Sequence, residues 1–166
     1  MVLVTTGTNE QSFDRLVQAA HGLTGELVVQ YGSSSITSGP HGQWIDFMPF
    51  DDLRAAMLEA EIVVCHAGVG SVMLAIRCGK RPIVMPRRVA LGEAVDDHQV
   101  PFARRLANVG AITVVEDEAE LALAIAASRE QPGPGAPVFA PQVLPQQLGG
   151  LAAELQTFLL RQSPTS

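Results

Sequence analysis

Short apolar runs alternate with stretches in which apolar residues recur at helical spacing, from near the start of the chain to about residue 130. The runs VLVTT (2–6), ELVVQY (26–31), QWIDFM (43–48), IVVC (62–65), PIVMP (82–86) and AITVV (111–115) read as strands. Helical patterns lie near 11–22, 51–60, 70–78, 96–108 and 117–128. Several of the strand runs are apolar throughout rather than alternating, as expected where helices cover both faces of a parallel sheet. The pattern therefore predicts an α/β fold, a single Rossmann-like, doubly wound parallel sheet spanning residues 1–130.

Two segments depart from the alternation. SSSITSGPHG (33–42) reads as a flexible loop, and the proline- and glycine-rich stretch that includes QPGPGAPVFAP marks a linker over 131–142. Residues 143–166 then hold a final amphipathic helix and tail, with Leu144, Leu148, Leu151, Leu155 and Phe158 spaced by four, three, four and three. That spacing makes one apolar stripe in need of a partner surface. Docking on its own domain and docking on another polypeptide both satisfy it.

With 166 residues the chain suits one domain, and 47% hydrophobic against 17% charged residues allows a full core. The net charge of −6 argues against nucleic acid as a partner, since the basic residues gather only in short pairs such as Arg87-Arg88 and Arg104-Arg105. Such pairs can hold a phosphate. Cys65 and Cys78 are too few for a disulfide framework or a zinc site and read as reduced packing thiols. The opening MVLVTTG has no signal-peptide pattern, and no apolar run approaches the ~20 residues of a membrane span. A cytoplasmic protein is expected.

In open α/β sheets ligands bind beyond the carboxyl ends of the strands, which directs attention to HAGVGS (66–71). A dinucleotide fingerprint fails there, because Met73 stands where a third glycine belongs and the next strand ends in Met85-Pro86 without an acidic residue. A P-loop fails too, for want of lysine followed by serine or threonine. What remains is a helix N-terminus with free amides, Gly68 and Gly70 that let an anion approach, Ser71 at hand, and His66 as a further donor. A plain tight turn, with Ser71 as a helix cap and His66 satisfied by backbone, explains the same residues. Further on, Asp96, Asp97, His98 and Gln99 crowd the start of a helix. They serve either as caps and dipole partners or as donors and acceptors for sugar hydroxyls. An anion-holding turn beside such a loop points to a nucleotide-sugar.

Taken in order, VTTGTNEQSFDRLV, FMPFDDL, HAGVGS, CGKRPIVMPRR and GEAVDDHQ resemble the C-terminal half of family 28 glycosyltransferases over roughly residues 1–128. The stand-alone half-enzymes of N-glycan and bacterial exopolysaccharide assembly are especially similar. The resemblance implies one half of a GT-B glycosyltransferase, the donor-binding half. Pyrophosphate would lie on His66, Gly68, Gly70 and Ser71, with Gly7, Thr8 and Asn9 approaching from the first loop and Arg87 nearby. Phe50 matches the place of the uracil ring, and Asp97 and Gln99 match positions near the donor sugar. Two residues break the pattern. Leu74 stands where many relatives carry a glutamate for the ribose hydroxyls, and Asn9 stands where many half-enzymes carry histidine.

The implied reaction is an inverting transfer from a UDP-sugar to an acceptor, expected to be lipid-linked, with no cofactor and no obligatory metal. His66 would stabilise the departing UDP, while Glu10 is the local candidate for the base that the acceptor hydroxyl needs. A carboxylate that merely favours a helix N-terminus is the simpler account of Glu10. One Rossmann-like domain is half of a GT-B enzyme. A membrane-associated, acceptor-binding partner is therefore expected, as the source of the base and with the last helix as the docking element, the chain being peripheral at the cytoplasmic face. Homodimerisation of the isolated chain stays open. The alternative from another class is a non-catalytic UDP-binding module that regulates or scaffolds a partner; a self-contained epimerase or hydrolase is disfavoured by the missing second domain.

Overall fold

The computed structural model describes residues 1–130; the expected linker and final helix lie outside the described residues. Six parallel strands form one sheet in the order β3-β2-β1-β4-β5-β6. They are β1 (Val2–Thr5), β2 (Leu27–Gln30), β3 (Gln43–Ile45), β4 (Ile62–His66), β5 (Ile83–Met85) and β6 (Thr113–Val114). The helices are α1 (Asp14–His21), α2 (Phe50–Glu59), α3 (Val69–Arg77), α4 (Gln99–Asn108) and α5 (Glu118–Glu130). Each strand falls inside or within a residue of its expected run. The β2–β3 connection, 31–42, crosses without a helix.

Alternation of side chains along the central strands sorts the helices into two layers. Val2 and Val4 of β1 pack with Ile62 and Val64 of β4 against Phe13, Leu16 and Ala20 of the α1 region and Leu121 and Ile125 of α5. Leu3 and Val63 point the other way, into a cluster with Met48, Met57, Leu74 and Ala75 from the α2 and α3 side. A third cluster packs α3 and α4 through Val72, Met73, Ile76, Phe102, Ala103 and Leu106. Full burial of such side chains is worth about 1.5–3 kcal/mol each, which is why β1 and β4, covered on both faces, form the centre of the sheet. Cys65 and Cys78 are free thiols, and burial pushes Cys65 up to about 12. No described helix is long and apolar enough to cross a membrane.

Two helix starts come later than the apolar spacing implies. α1 begins at Asp14, not 11, because Asn9 Oδ1 accepts the Gln11 amide at 2.9 Å and turns the chain first. α4 begins at Gln99, not 96. Asp96 Oδ1 accepts the His98 amide at 3.1 Å and Asp97 Oδ1 accepts the Val89 amide at 3.0 Å, so both carboxylates shape the preceding loop.

Candidate functional site

The strand order places the reversal of chain direction across the sheet between β1 and β4, so the loops that follow them diverge there. His66 is the last residue of β4, and Gly7 lies two residues past β1. A Cβ built on Gly7 would stand 2.8 Å from His66 Nε2 and 2.9 Å from Nδ1, and one on Gly68 would stand 2.8 Å from Cδ2. The imidazole is therefore clamped between two glycines from two loops. Gly7 adopts φ +78°, the left-handed region that disfavours a side chain. Its amide donates to Thr5 Oγ1 at 3.2 Å, and Thr5 Oγ1 donates to Gln30 Oε1 at 2.5 Å, a buried polar pair beneath the turn.

His66 Nδ1 is buried and has no hydrogen-bond partner. Burial, and next the Arg87 guanidinium, pull the ring down to about 4, with the Thr5 backbone opposing. His66 is thus neutral at neutral pH, one nitrogen donating and one accepting. Beside it, α3 starts from Gly68 as N-cap with no side-chain cap. The first-turn amides have no intrahelical acceptors and carry the positive end of the helix dipole. Ser71 makes no capping bond, and a Cβ on Gly70 would meet nothing within 4 Å. Gly68 makes room for His66, whereas Gly70 leaves the helix start open.

The other expected site residues are placed as follows. Thr8 and Glu10 are exposed on the first loop, and Asn9 is half-buried, its side chain spent on the Gln11 amide. Phe50 opens α2 and is 66% exposed; Met48, two residues before it, packs in the cluster that holds Leu74. Asp97 is exposed, and Gln99 Oε1 accepts the Arg87 amide at 3.2 Å. Arg87 departs from its expected place at the donor phosphates: it is 1% exposed, and its two terminal nitrogens donate to the carbonyls of Thr6, Gln11, Ser12 and Glu93. Burial pulls it down to about 10, against the pull of Glu93.

Sequence reading passed over the residues that brace these loops. Arg15 forms a two-pronged pair with Glu93 at 2.9 and 2.8 Å, and Phe13 lies under the Arg87 guanidinium, 4.5 Å from it. Glu93 stood inside the quoted GEAVDDHQ, and Phe13 is a lone aromatic in a polar loop; those were the only signals. The three serines 33–35 buttress the other flank, Ser33 on the Asn9 carbonyl, Ser34 on the Phe13 amide and Ser35 on the Asp14 carboxylate.

A parallel sheet in this order, with a histidine and an uncapped helix start at its switch point, defines a Rossmann-like domain. Solved structures with this fold include CalG4, the calicheamicin glycosyltransferase (TM-score 0.56, 16% identity, 98% of this chain and 44% of that one), and MurG of Acinetobacter baumannii (0.54, 19%, 95% and 47%). Residues 1–132 match the glycosyltransferase family 28 C-terminal domain, and the chain belongs to that family. It is 33% identical over 121 residues to the UDP-N-acetylglucosamine transferase subunit ALG13 of Yarrowia lipolytica, covering 64% of this chain and 60% of that protein. It is also 33% identical over 81 residues to an Acinetobacter baylyi UDP-N-acetylglucosamine–N-acetylmuramyl-(pentapeptide) pyrophosphoryl-undecaprenol N-acetylglucosamine transferase, covering 48% of this chain and 21% of that protein. The chain thus spans 60% of the first relative and about a fifth of the second.

Proposed function

We propose that this chain is the donor-binding half of a two-component inverting glycosyltransferase, moving a sugar from a UDP-sugar to a lipid-linked acceptor in glycan or polysaccharide assembly. The observation that carries the reading is the His66 clamp beside the open start of α3. Preorganised amides and a neutral imidazole suit a pyrophosphate that gains negative charge as the bond to the sugar breaks, because they need little reorganisation. In the transfer the acceptor oxygen bonds to the anomeric carbon, UDP leaves with the electron pair of the broken C–O bond, and the hydroxyl proton goes to a base. Glu10 is the local candidate, exposed four residues ahead of α1. An acceptor-binding partner is the other source.

The names of the relatives support the donor, a UDP-N-acetylhexosamine, and one of them is named as a subunit. The partner would be membrane-associated and would hold this chain at the cytoplasmic face; the reading calls for no metal or further cofactor. A second reading, a UDP-binding module without turnover, draws on the Asn9 side chain being engaged by its own loop and on Leu74 lying in the core. The test is calorimetric titration of UDP into the purified chain and into His66→Ala, followed by a transfer assay with and without the partner co-purified from the native host. The donor-half reading expects UDP binding, at least tenfold weaker in His66→Ala, and transfer only in the complex. Failure to bind UDP overturns the donor assignment, robust transfer by the chain alone overturns the partner requirement, and a UDP-binding complex without turnover favours the second reading.

A further inference from the structure

We infer that Arg87 is a positioning residue for the donor site: from inside the protein it ties the first loop to the β5–α4 loop and so sets the seat of Gly7 against His66. The inference rests on the donor-site reading above. Arg87 reaches across the fold to partners 75, 76 and 81 residues away in sequence. Nη2 donates to the Thr6 carbonyl at 2.9 Å, next to Gly7, while Nη1 donates to Gln11 at 2.9 Å and Ser12 at 3.1 Å. These are the two feet of the first loop. Nη1 also holds the Glu93 carbonyl at 2.9 Å, and the Arg87 amide is held by Gln99, so the second loop is fixed to the same group.

The chemistry of the side chain separates this role from plain packing. A buried guanidinium is costly, and here Nε has no acceptor at all. Apolar side chains would fill the space at lower cost. A planar fork supplies what they lack, fixed directions for four carbonyls at once, and a lysine ammonium lacks that fork as well. The stacking of the guanidinium on Phe13 fixes the plane of the fork. With both terminal nitrogens engaged and 1% of the residue exposed, Arg87 touches no ligand and acts through Gly7 and His66. Because misplacing a positioned group by about 1 Å costs about a hundredfold, small shifts of this seat are enough to matter.

The test uses Arg87→Lys and Arg87→Met in the full chain, with Leu106→Ala, a core cavity in α4, as a control for lost stability alone. In the ligand-free state, NMR signals of the Thr6–Ser12 amides and the His66 ring move or broaden in both Arg87 variants and stay in place in Leu106→Ala. The UDP dissociation constant rises at least tenfold in the Arg87 variants, lysine giving no rescue, and stays within threefold in the control. Unchanged Gly7 and His66 signals in Arg87→Lys overturn the inference, as does an equal loss of affinity in the control. Should wild type fail to bind UDP, the donor reading falls while the ligand-free spectra still decide the role of Arg87. Should the Arg87 variants not fold, hydrogen exchange on wild type decides: segments 6–13 and 86–93 exchange together if Arg87 joins them, and a freely exchanging first loop overturns the idea.

Discussion

The imidazole of His66 occupies the space that a side chain on Gly68 would need, so the glycine before α3 serves the histidine first and a ligand second. Gly70, two residues on, would place a Cβ in open space. The two glycines should therefore respond differently to the same substitution. Gly68→Ala displaces the ring and lowers both melting temperature and UDP affinity. Gly70→Ala leaves the melt unchanged or raises stability by up to about 1 kcal/mol, since alanine is the better helix former, yet weakens UDP by at least tenfold if the pyrophosphate rests on the first turn. Paired melts and titrations check this; Gly70→Ala with full affinity would move the anion elsewhere.

How much of this was legible in sequence depends on the range of the forces. β1 and β4 were readable because continuous apolar runs have one stable solution, burial on both faces of a parallel sheet. HAGVGS was readable as a special turn, but not the reason for Gly68, which is the collision a Cβ there would make with the His66 ring, a ring that Gly7 of another loop also crowds. Arg87 misled for the same cause. An Arg-Arg pair looks like a phosphate holder locally, while the carbonyls that consume Arg87 are 75 to 81 residues away, apart from that of Glu93. The early starts assigned to α1 and α4 share one physical origin. Asn9, Asp96 and Asp97 turn their side chains onto nearby amides, and that competes with the first helical turn.

Acid should act through His66. Its folded value near 4 lies below the ordinary 6.5, so the unfolded chain binds more protons between those values. Stability therefore rises with pH across that window, is fully present above about 6.5 and is lost as pH falls toward 4. The shift corresponds to roughly 3 kcal/mol at most. Urea titrations at pH 4.5 to 7 on wild type and His66→Gln isolate the contribution, because the other titrating groups are common to both. Equal pH slopes in the two proteins would remove His66 as the source.

Two ion pairs that look alike in sequence should differ in worth. Arg15 and Glu93 are 12% and 6% exposed and 2.8 Å apart, with Glu93 also accepting the Arg88 amide at 3.0 Å. Arg88 and Glu116, also 2.8 Å apart, are 32% and 39% exposed. Arg15→Ala leaves a buried carboxylate without its charge partner and should cost about 3–5 kcal/mol. Arg88→Ala should cost under about 1 kcal/mol. Chemical denaturation of the two variants measures the contrast; a similar loss in both would show that burial does not govern these pairs.

Leu74 offers the sharpest test of nucleotide recognition. It packs with Leu3, Met48, Met57, Val63 and Ala75, so α3 turns a hydrocarbon side chain inward at the position where the family resemblance puts a ribose-binding carboxylate. A hydrogen bond to a charged group contributes about 1.5–3 kcal/mol, roughly ten- to a hundredfold in affinity. Without one, binding should scarcely distinguish ribose from deoxyribose, and 2′-deoxy-UDP should bind within about tenfold of UDP. Leu74→Met, which conserves volume, should cost less than about 1.5 kcal/mol and leave that ratio alone. Leu74→Glu should destabilise the fold, since its carboxylate enters an apolar cluster. Competition titrations with the two nucleotides read the ratio directly. A preference for UDP above a hundredfold in wild type would mean that another group of this chain grips the ribose, and the exposed carboxylates of Glu10 and Asp97 would be the first to substitute.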